Sequence, residues 1–274
     1  MIKLGPAGKP LGFEGPFLEC LEFLKELRLN AVEVQFVRNI WMKPEQAINF
    51  GKLARKLKIA LSVHAPYFIN LCSQDHEVLE ASKQRIIESC RLAELMGASH
   101  VVFHPGFYGK LTRQEAYDVV KRALKEISKQ IGKVLIAPEV MGNATKFGDE
   151  DELIRLSKEV DKVTVTLDFA HIHARYNGKL REKKDYLDLF AKFEKELGRE
   201  YIRNFHSHFT CVKFDRKGEK AHLPLSAKQP NFEELAKALI EYGINNCTII
   251  SESPLLEKDA LEMLKILEGY GYKF

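Results

Sequence analysis

Val101-Val102-Phe103-His104-Pro105-Gly106 is an apolar run of strand length that ends on a histidine and is broken at once by proline and glycine. A run that is apolar along its whole span suits a parallel strand covered on both faces. The same pattern recurs on either side of it. Upstream, Leu61-Ser62-Val63-His64-Ala65-Pro66-Tyr67 ends the same way. Downstream come Ile136-Ala137-Pro138-Glu139, Thr166-Leu167-Asp168 with His171 shortly after, Asn204-Phe205-His206, and Ile249-Ile250-Ser251-Glu252. Six successive strands thus finish on a residue type that ligates metals.

Working outward, strands are expected at 2–4, 31–35, 60–64, 100–104, 134–139, 163–168, 204–209 and 248–252. Helical spacing fills the gaps. Phe17, Cys20, Leu21, Leu24 and Leu27 form one apolar stripe, and Leu79, Ile86, Ile87, Leu92 and Leu95 another. Leu235, Leu239 and Ile240 mark a third, and further helices are expected over 44–56, 113–130, 149–158, 184–197 and 258–270. Strict alternation of strand and helix implies a parallel sheet with right-handed crossovers. A single α/β domain over residues 1–274, a (β/α)8 TIM barrel, fits best. An open doubly wound sheet is the competing arrangement, but the first strand–helix turn, Gly5-Pro6-Ala7-Gly8-Lys9, has no G-x-G-x-x-G fingerprint.

Composition narrows the function classes. The chain has 274 residues with a formal net charge of +4, which permits a polyanionic partner without demanding one. Its five cysteines, Cys20, Cys72, Cys90, Cys211 and Cys247, are widely spaced with no C-x-x-C, which argues against a disulfide framework or a cysteine zinc site. No apolar run approaches the ~20 residues that span a membrane, and the N-terminal residues lack a signal-peptide pattern. A reducing, cytoplasmic setting and a monomer are the defaults.

Barrel enzymes keep their active sites where the C-terminal strand ends converge. Any single strand-end histidine is most simply a hydrogen-bonded structural residue, and an aspartate before a helix an N-cap. Six in register point instead to a metal centre. Imidazoles with carboxylates suit zinc, or manganese and iron, over magnesium or calcium alone. The candidate ligands are His64, His104, Glu139, Asp168, His171, His206, His222 and Glu252. One zinc takes about four ligands, so this set implies two or three metals, with Glu139 placed to bridge. Multinuclear centres suit in-line displacement at phosphate, which assigns catalysis to Glu139, Asp168 and Glu252 through the metals they hold.

At this point a family resemblance becomes visible. His64-x-x-Tyr67-x-Ile69-Asn70-Leu71, Phe103-His104-Pro105-Gly106, Asp168-x-x-His171 and Ser251-Glu252-Ser253-Pro254 resemble endonuclease IV, a zinc-dependent apurinic/apyrimidinic endonuclease family among the xylose-isomerase-like barrels. The resemblance implies hydrolysis of the phosphodiester 5′ to an abasic site in duplex DNA, at a three-zinc centre. It assigns His64, His104 and Glu139 to a first metal, Glu139, Asp168, His206 and Glu252 to a second, and His171 and His222 to a third. It also implies that Tyr67 and Phe68 enter the DNA and that Asn39, with Trp41 near it, contacts DNA. Lys179, Arg181, Lys183 and Lys184, and then Lys213, Arg216, Lys217 and Lys220, are basic clusters that suit either phosphate contact or a solvated face.

The sequence departs from the family in the loop of the third metal. Where the family has Asp-x-His, this chain reads Gly218-Glu219-Lys220-Ala221-His222, with lysine at the carboxylate position and Glu219 beside it. His173 and His208 are extra histidines near the site. Two other functions share the barrel. A sugar isomerase or epimerase would use one divalent metal with Glu139 and Glu252, and a DNA-binding relative would have lost catalysis. The surplus of histidines favours the nuclease over the first, and intact ligands on six strands argue against the second.

Overall fold

A computed structural model describes all 274 residues. The chain runs β1 (Lys3–Pro6), α1 (Cys20–Glu26), β2 (Ala31–Gln35), α2 (Pro44–Leu57), β3 (Ala60–His64), α3 (His76–Met96), β4 (His100–Phe103) and α4 (Arg113–Ser128). It continues through β5 (Leu135–Pro138), α5 (Glu150–Glu159), β6 (Thr166–Asp168), α6 (Phe169–Arg175), α7 (Lys183–Asn204), β7 (His206–Phe209), β8 (Cys211–Asp215) and β9 (Gly218–Leu223). Then follow α8 (Phe232–Tyr242), β10 (Thr248–Ser251) and α9 (Glu257–Gly269). Eight strands form two four-stranded sheets, ordered β2-β3-β4-β5 and β1-β10-β7-β6, and β8 and β9 pair with each other. This is the element order of the (β/α)8 class. Contacts cluster the chain into two units, Glu33–Thr166 and Met1–Val32 with Leu167–Phe274.

In the unit Glu33–Thr166, β4 lies parallel to both neighbours, with Val63 opposite Val101 and Phe103 opposite Pro138. Consecutive residues Val101, Val102 and Phe103 are all buried, as a strand covered on both faces requires. The helices begin and end where capping chemistry dictates. Asp75 accepts hydrogen bonds from the Glu77 and Val78 amides to start α3, and Gly97, at φ 73°, ends it. Thr112 with Glu115, and Asp149 with Glu152, form the capping boxes of α4 and α5.

In the other unit β10 lies parallel to β1 and β7. Gly5 sits where a Cβ would lie 1.6 Å from the Ala31 carbonyl oxygen, so only glycine allows that approach. The helix expected to stop at Leu197 does break there, since Gly198 has φ 87°, but a second helical stretch carries α7 on to Asn204. That is why β7 begins at His206 and not at Asn204. Two elements were not expected at all: the short helix α6, directly after β6, and the β8–β9 hairpin. Both carry candidate ligands.

Candidate metal centre

Three strand ends of the unit Glu33–Thr166 bring one cluster together. His64 is the last residue of β3, His104 follows β4 and Glu139 follows β5. The register sets His104 beside Glu139 and His64 opposite Val102, and donor atoms of all three lie within 4.8 Å of one another. His104 Nε2 is 2.5 Å from Glu139 Oε1. His64 Nδ1 lies 2.8 Å from the Ala65 carbonyl, which can only accept, so that nitrogen carries the proton and Nε2 keeps its lone pair. Tyr67 packs against both histidine rings, at 5.5 Å and 5.7 Å between centroids.

A second cluster lies within the other unit. Asp168 caps α6, its Oδ1 accepting from the His171 amide at 2.7 Å, so the capping role holds. Its other oxygen, Oδ2, lies 3.3 Å from His171 Nδ1. That contact orients the ring and leaves Nε2, which sits 2.7 Å from Glu219 Oε2. The other Glu219 oxygen is 3.0 Å from His222 Nε2. His222 Nδ1 is held in turn by the Glu252 carbonyl at 2.9 Å.

Glu219 therefore stands between the two histidines, while Lys220 turns away to Asp215 at 3.2 Å. A β-bulge is the reason. Val212 pairs with His222, Lys213 with Ala221, and Phe214 with Glu219, so Lys220 is the extra residue without a partner. Residues three apart on a regular strand face opposite sides. The bulge absorbs one residue and returns Glu219 and His222 to the same face.

Electrostatics at this cluster favour a cation. Burial opposes ionisation of Glu219, but His171 and His222 outweigh it and hold the carboxyl well below its usual range. Burial likewise opposes the charged form of His222, yet Glu219, Glu252 and Asp168 push it up to about 9. A field that keeps a proton on an imidazole is one that also attracts a metal ion. The donor sets are two histidines and a glutamate in each cluster, with ring tautomers pinned by acceptors. They fit a zinc-type ion.

On β7 it is His208 that faces the carboxylates. Its Nδ1 lies 3.8 Å from Asp168 Oδ2 and 3.5 Å from Glu252 Oε1. His206, the residue expected in that place, lies two residues earlier on the same strand face, opposite Thr248 rather than Ile250. His208 and Glu219 are two residues that the sequence offered only as substitutes, outside the main ligand set. Position along β7 was the available signal, since His208 lies nearer the C-terminal end. His173, the other extra histidine, is buried against Phe214, and its Nδ1 accepts from the Leu180 amide. Burial lowers its pKa to about 4, which keeps it neutral and structural.

The expected DNA-contact residues lie in loops of the unit Glu33–Thr166. Asn39 is exposed after β2. Tyr67 and Phe68 are 49% and 62% exposed after β3, although Tyr67 also rests on the two histidine rings. No helix is long and apolar enough to cross a membrane.

A fold of alternating strands and helices with clustered histidines and carboxylates at its strand ends defines a class, the metal-capable α/β barrels. The profile of the xylose isomerase-like TIM barrel family matches residues 21–270, and the chain belongs to that family. An uncharacterized protein of Methanocaldococcus jannaschii is 34% identical over 97% of this chain and 96% of its own length. A probable endonuclease 4 of Mycoplasma mobile is 28% identical over 76% of this chain and 74% of its own. Among solved structures, endonuclease IV from Thermus thermophilus has a TM-score of 0.74 at 19% identity, covering 97% of this chain and 98% of that one. A D-tagatose 3-epimerase-like protein has a TM-score of 0.70 at 21% identity, covering 91% of each. At these identities the two structures show a shared fold alone.

Proposed function

We propose that the protein is a zinc-dependent phosphodiesterase that hydrolyses duplex DNA 5′ to abasic sites. The observation that carries this reading is the pair of separate His/His/Glu clusters, one in each unit. A one-metal sugar isomerase needs a single set of about four ligands, and this chain has ligands to spare. His64, His104 and Glu139 would hold one ion, Asp168, His208 and Glu252 a second, and His171, Glu219 and His222 a third. When bound, the ions supply positive charge that offsets the negative charge developing on a phosphate in displacement. The protein's own part is orientation: Ala65, Asp168 and the Glu252 carbonyl fix the imidazoles. Exposed Tyr67 and Phe68 suit side chains that fill a gap in a distorted duplex.

The same fold is compatible with a second reading, epimerisation of a ketose sugar at one metal. An incision assay on abasic duplex beside ketose substrates, after chelation and zinc add-back, separates the two. The nuclease reading expects zinc-restored incision and no sugar turnover. Sugar turnover without incision would replace it.

A further inference from the structure

The β8–β9 hairpin has two faces of different chemistry. Cross-strand partners share a face of the ladder. Val212 and Phe214 pack on Ala170 and Ala174 of α6, and their partners are His222 and Glu219. One face therefore carries both the apolar contact and the cluster completed by His171. The other face and the tip carry Lys213, Arg216 and Lys217, all exposed. None of the three forms a salt bridge with a carboxylate side chain. Asp215, which lies among them, pairs with Lys220, accepts the Lys217 amide and also feels the Lys217 charge.

An isolated two-stranded hairpin is marginal in water, and the apolar attachment of this one to α6 consists of Val212 and Phe214 on Ala170 and Ala174, with Phe214 also against the His173 ring. A polar link between α6 and β9 runs from His171 to Glu219, with His222 on the other Glu219 oxygen. An ion at that cluster would tie the hairpin to the helix.

We propose that the hairpin is a grip for the sugar-phosphate backbone of a nucleic acid, and that the ion at His171, Glu219 and His222 holds it in place. Loading of this ion then governs nucleic-acid affinity as well as chemistry. The inference rests on the nuclease reading of the site and adds a regulated binding surface to it. Three exposed cations on one face and the tip of the hairpin match the charge of a phosphate chain.

The test uses the full chain and a duplex with a non-hydrolysable phosphorothioate 5′ to an abasic analogue. In Lys213→Gln/Arg216→Gln/Lys217→Gln, zinc content should equal the parent's. The slope of log affinity against log salt should shrink by about 2 to 3, at ~0.9 for each phosphate that the variant no longer neutralises. Glu219→Gln should bind one zinc fewer, bind duplex at least tenfold more weakly, and exchange its amide hydrogens over 211–223 faster. Parent protein stripped by chelator should show the same faster exchange without any DNA present. An unchanged salt slope in the triple variant overturns the grip while leaving the nuclease reading standing. Zinc-independent exchange in the hairpin overturns the coupling. A parent that binds no duplex at all defeats both this inference and the functional reading.

Discussion

The two His/His/Glu clusters have the same donors but different construction. His64, His104 and Glu139 stand at the ends of three adjacent parallel strands, so the sheet ladder itself fixes their spacing. His171, Glu219 and His222 come from a seven-residue helix and a bulged hairpin. The first cluster inherits rigidity from buried backbone. The second depends on a cap, a bulge and an apolar contact. Equal ligand sets need not bind equally firmly, because preorganisation of the ligands is part of the affinity.

The largest effect should come from the rigid cluster. Glu139 is almost wholly buried, and His104 approaches it at 2.5 Å. Glu139→Ala should cut incision by more than about a hundredfold, since even outer partners of metal ligands cost ~10–100-fold. It should also lower zinc content. Retained activity with full zinc would show that this cluster is not where the chemistry resides.

The next effect concerns how that cluster is framed. Gly106, just beyond His104, has φ 134°, and an added Cβ would lie 2.2 Å from Asn70 Oδ1. That oxygen accepts from the Cys72 and Phe107 amides and ties the β3 loop to the β4 loop. Gly106→Ala should cost about 3 kcal/mol through strained backbone and overpacking. Denaturant midpoints would measure it. A midpoint within error of the parent would mean that the loops flex and that the cluster is less rigid than its strands imply.

The second cluster gives a smaller, two-part effect at Asp168, which both caps α6 and orients His171. Asp168→Asn keeps a capping oxygen and should leave stability near the parent's. Asp168→Ala should lose about a further 1 kcal/mol. Both should weaken zinc binding. Equal stability of the two variants would separate the helix cap from the site.

These contrasts also explain what the sequence disclosed. Strands β2 and β3 fall at 31–35 and 60–64 as expected because apolar residues dominate both, even though buried Glu33 and Ser62 interrupt the runs. That His64, His104 and Glu139 come together was legible because each stands at a strand end, which has one address. His208 stood only as a possible surrogate because two histidines share β7 and its place nearer the C-terminal end of the strand was not weighed. Helix α6 was missed because seven residues hold too few turns to show a period. The hairpin was missed because its polar residues read as a loop. Glu219 stood only as a possible substitute for the missing carboxylate, because ligand spacing along a strand is counted by twos and a bulge alters the count without leaving a sequence mark.

The bulge yields the subtlest prediction. Removing Lys220 from the chain should leave Val212 opposite His222, Lys213 opposite Ala221 and Phe214 opposite Glu219, now in a regular ladder. The two ligands would then stand two residues apart, the spacing that puts side chains on one face without any bulge. Zinc affinity at this cluster should therefore change by less than about threefold, although a residue inside the metal-binding segment has gone. Only the ion pair with Asp215 disappears, and an exposed pair of that kind contributes at most ~1 kcal/mol. By contrast, removing Ala221 while keeping Lys220 puts a long charged side chain opposite Lys213, where like charges directly across a ladder repel, and affinity should fall further. If the two deletions weakened zinc binding equally, the face of the hairpin would be set by something other than the bulge, and the equivalence of the two clusters would have to be explained another way.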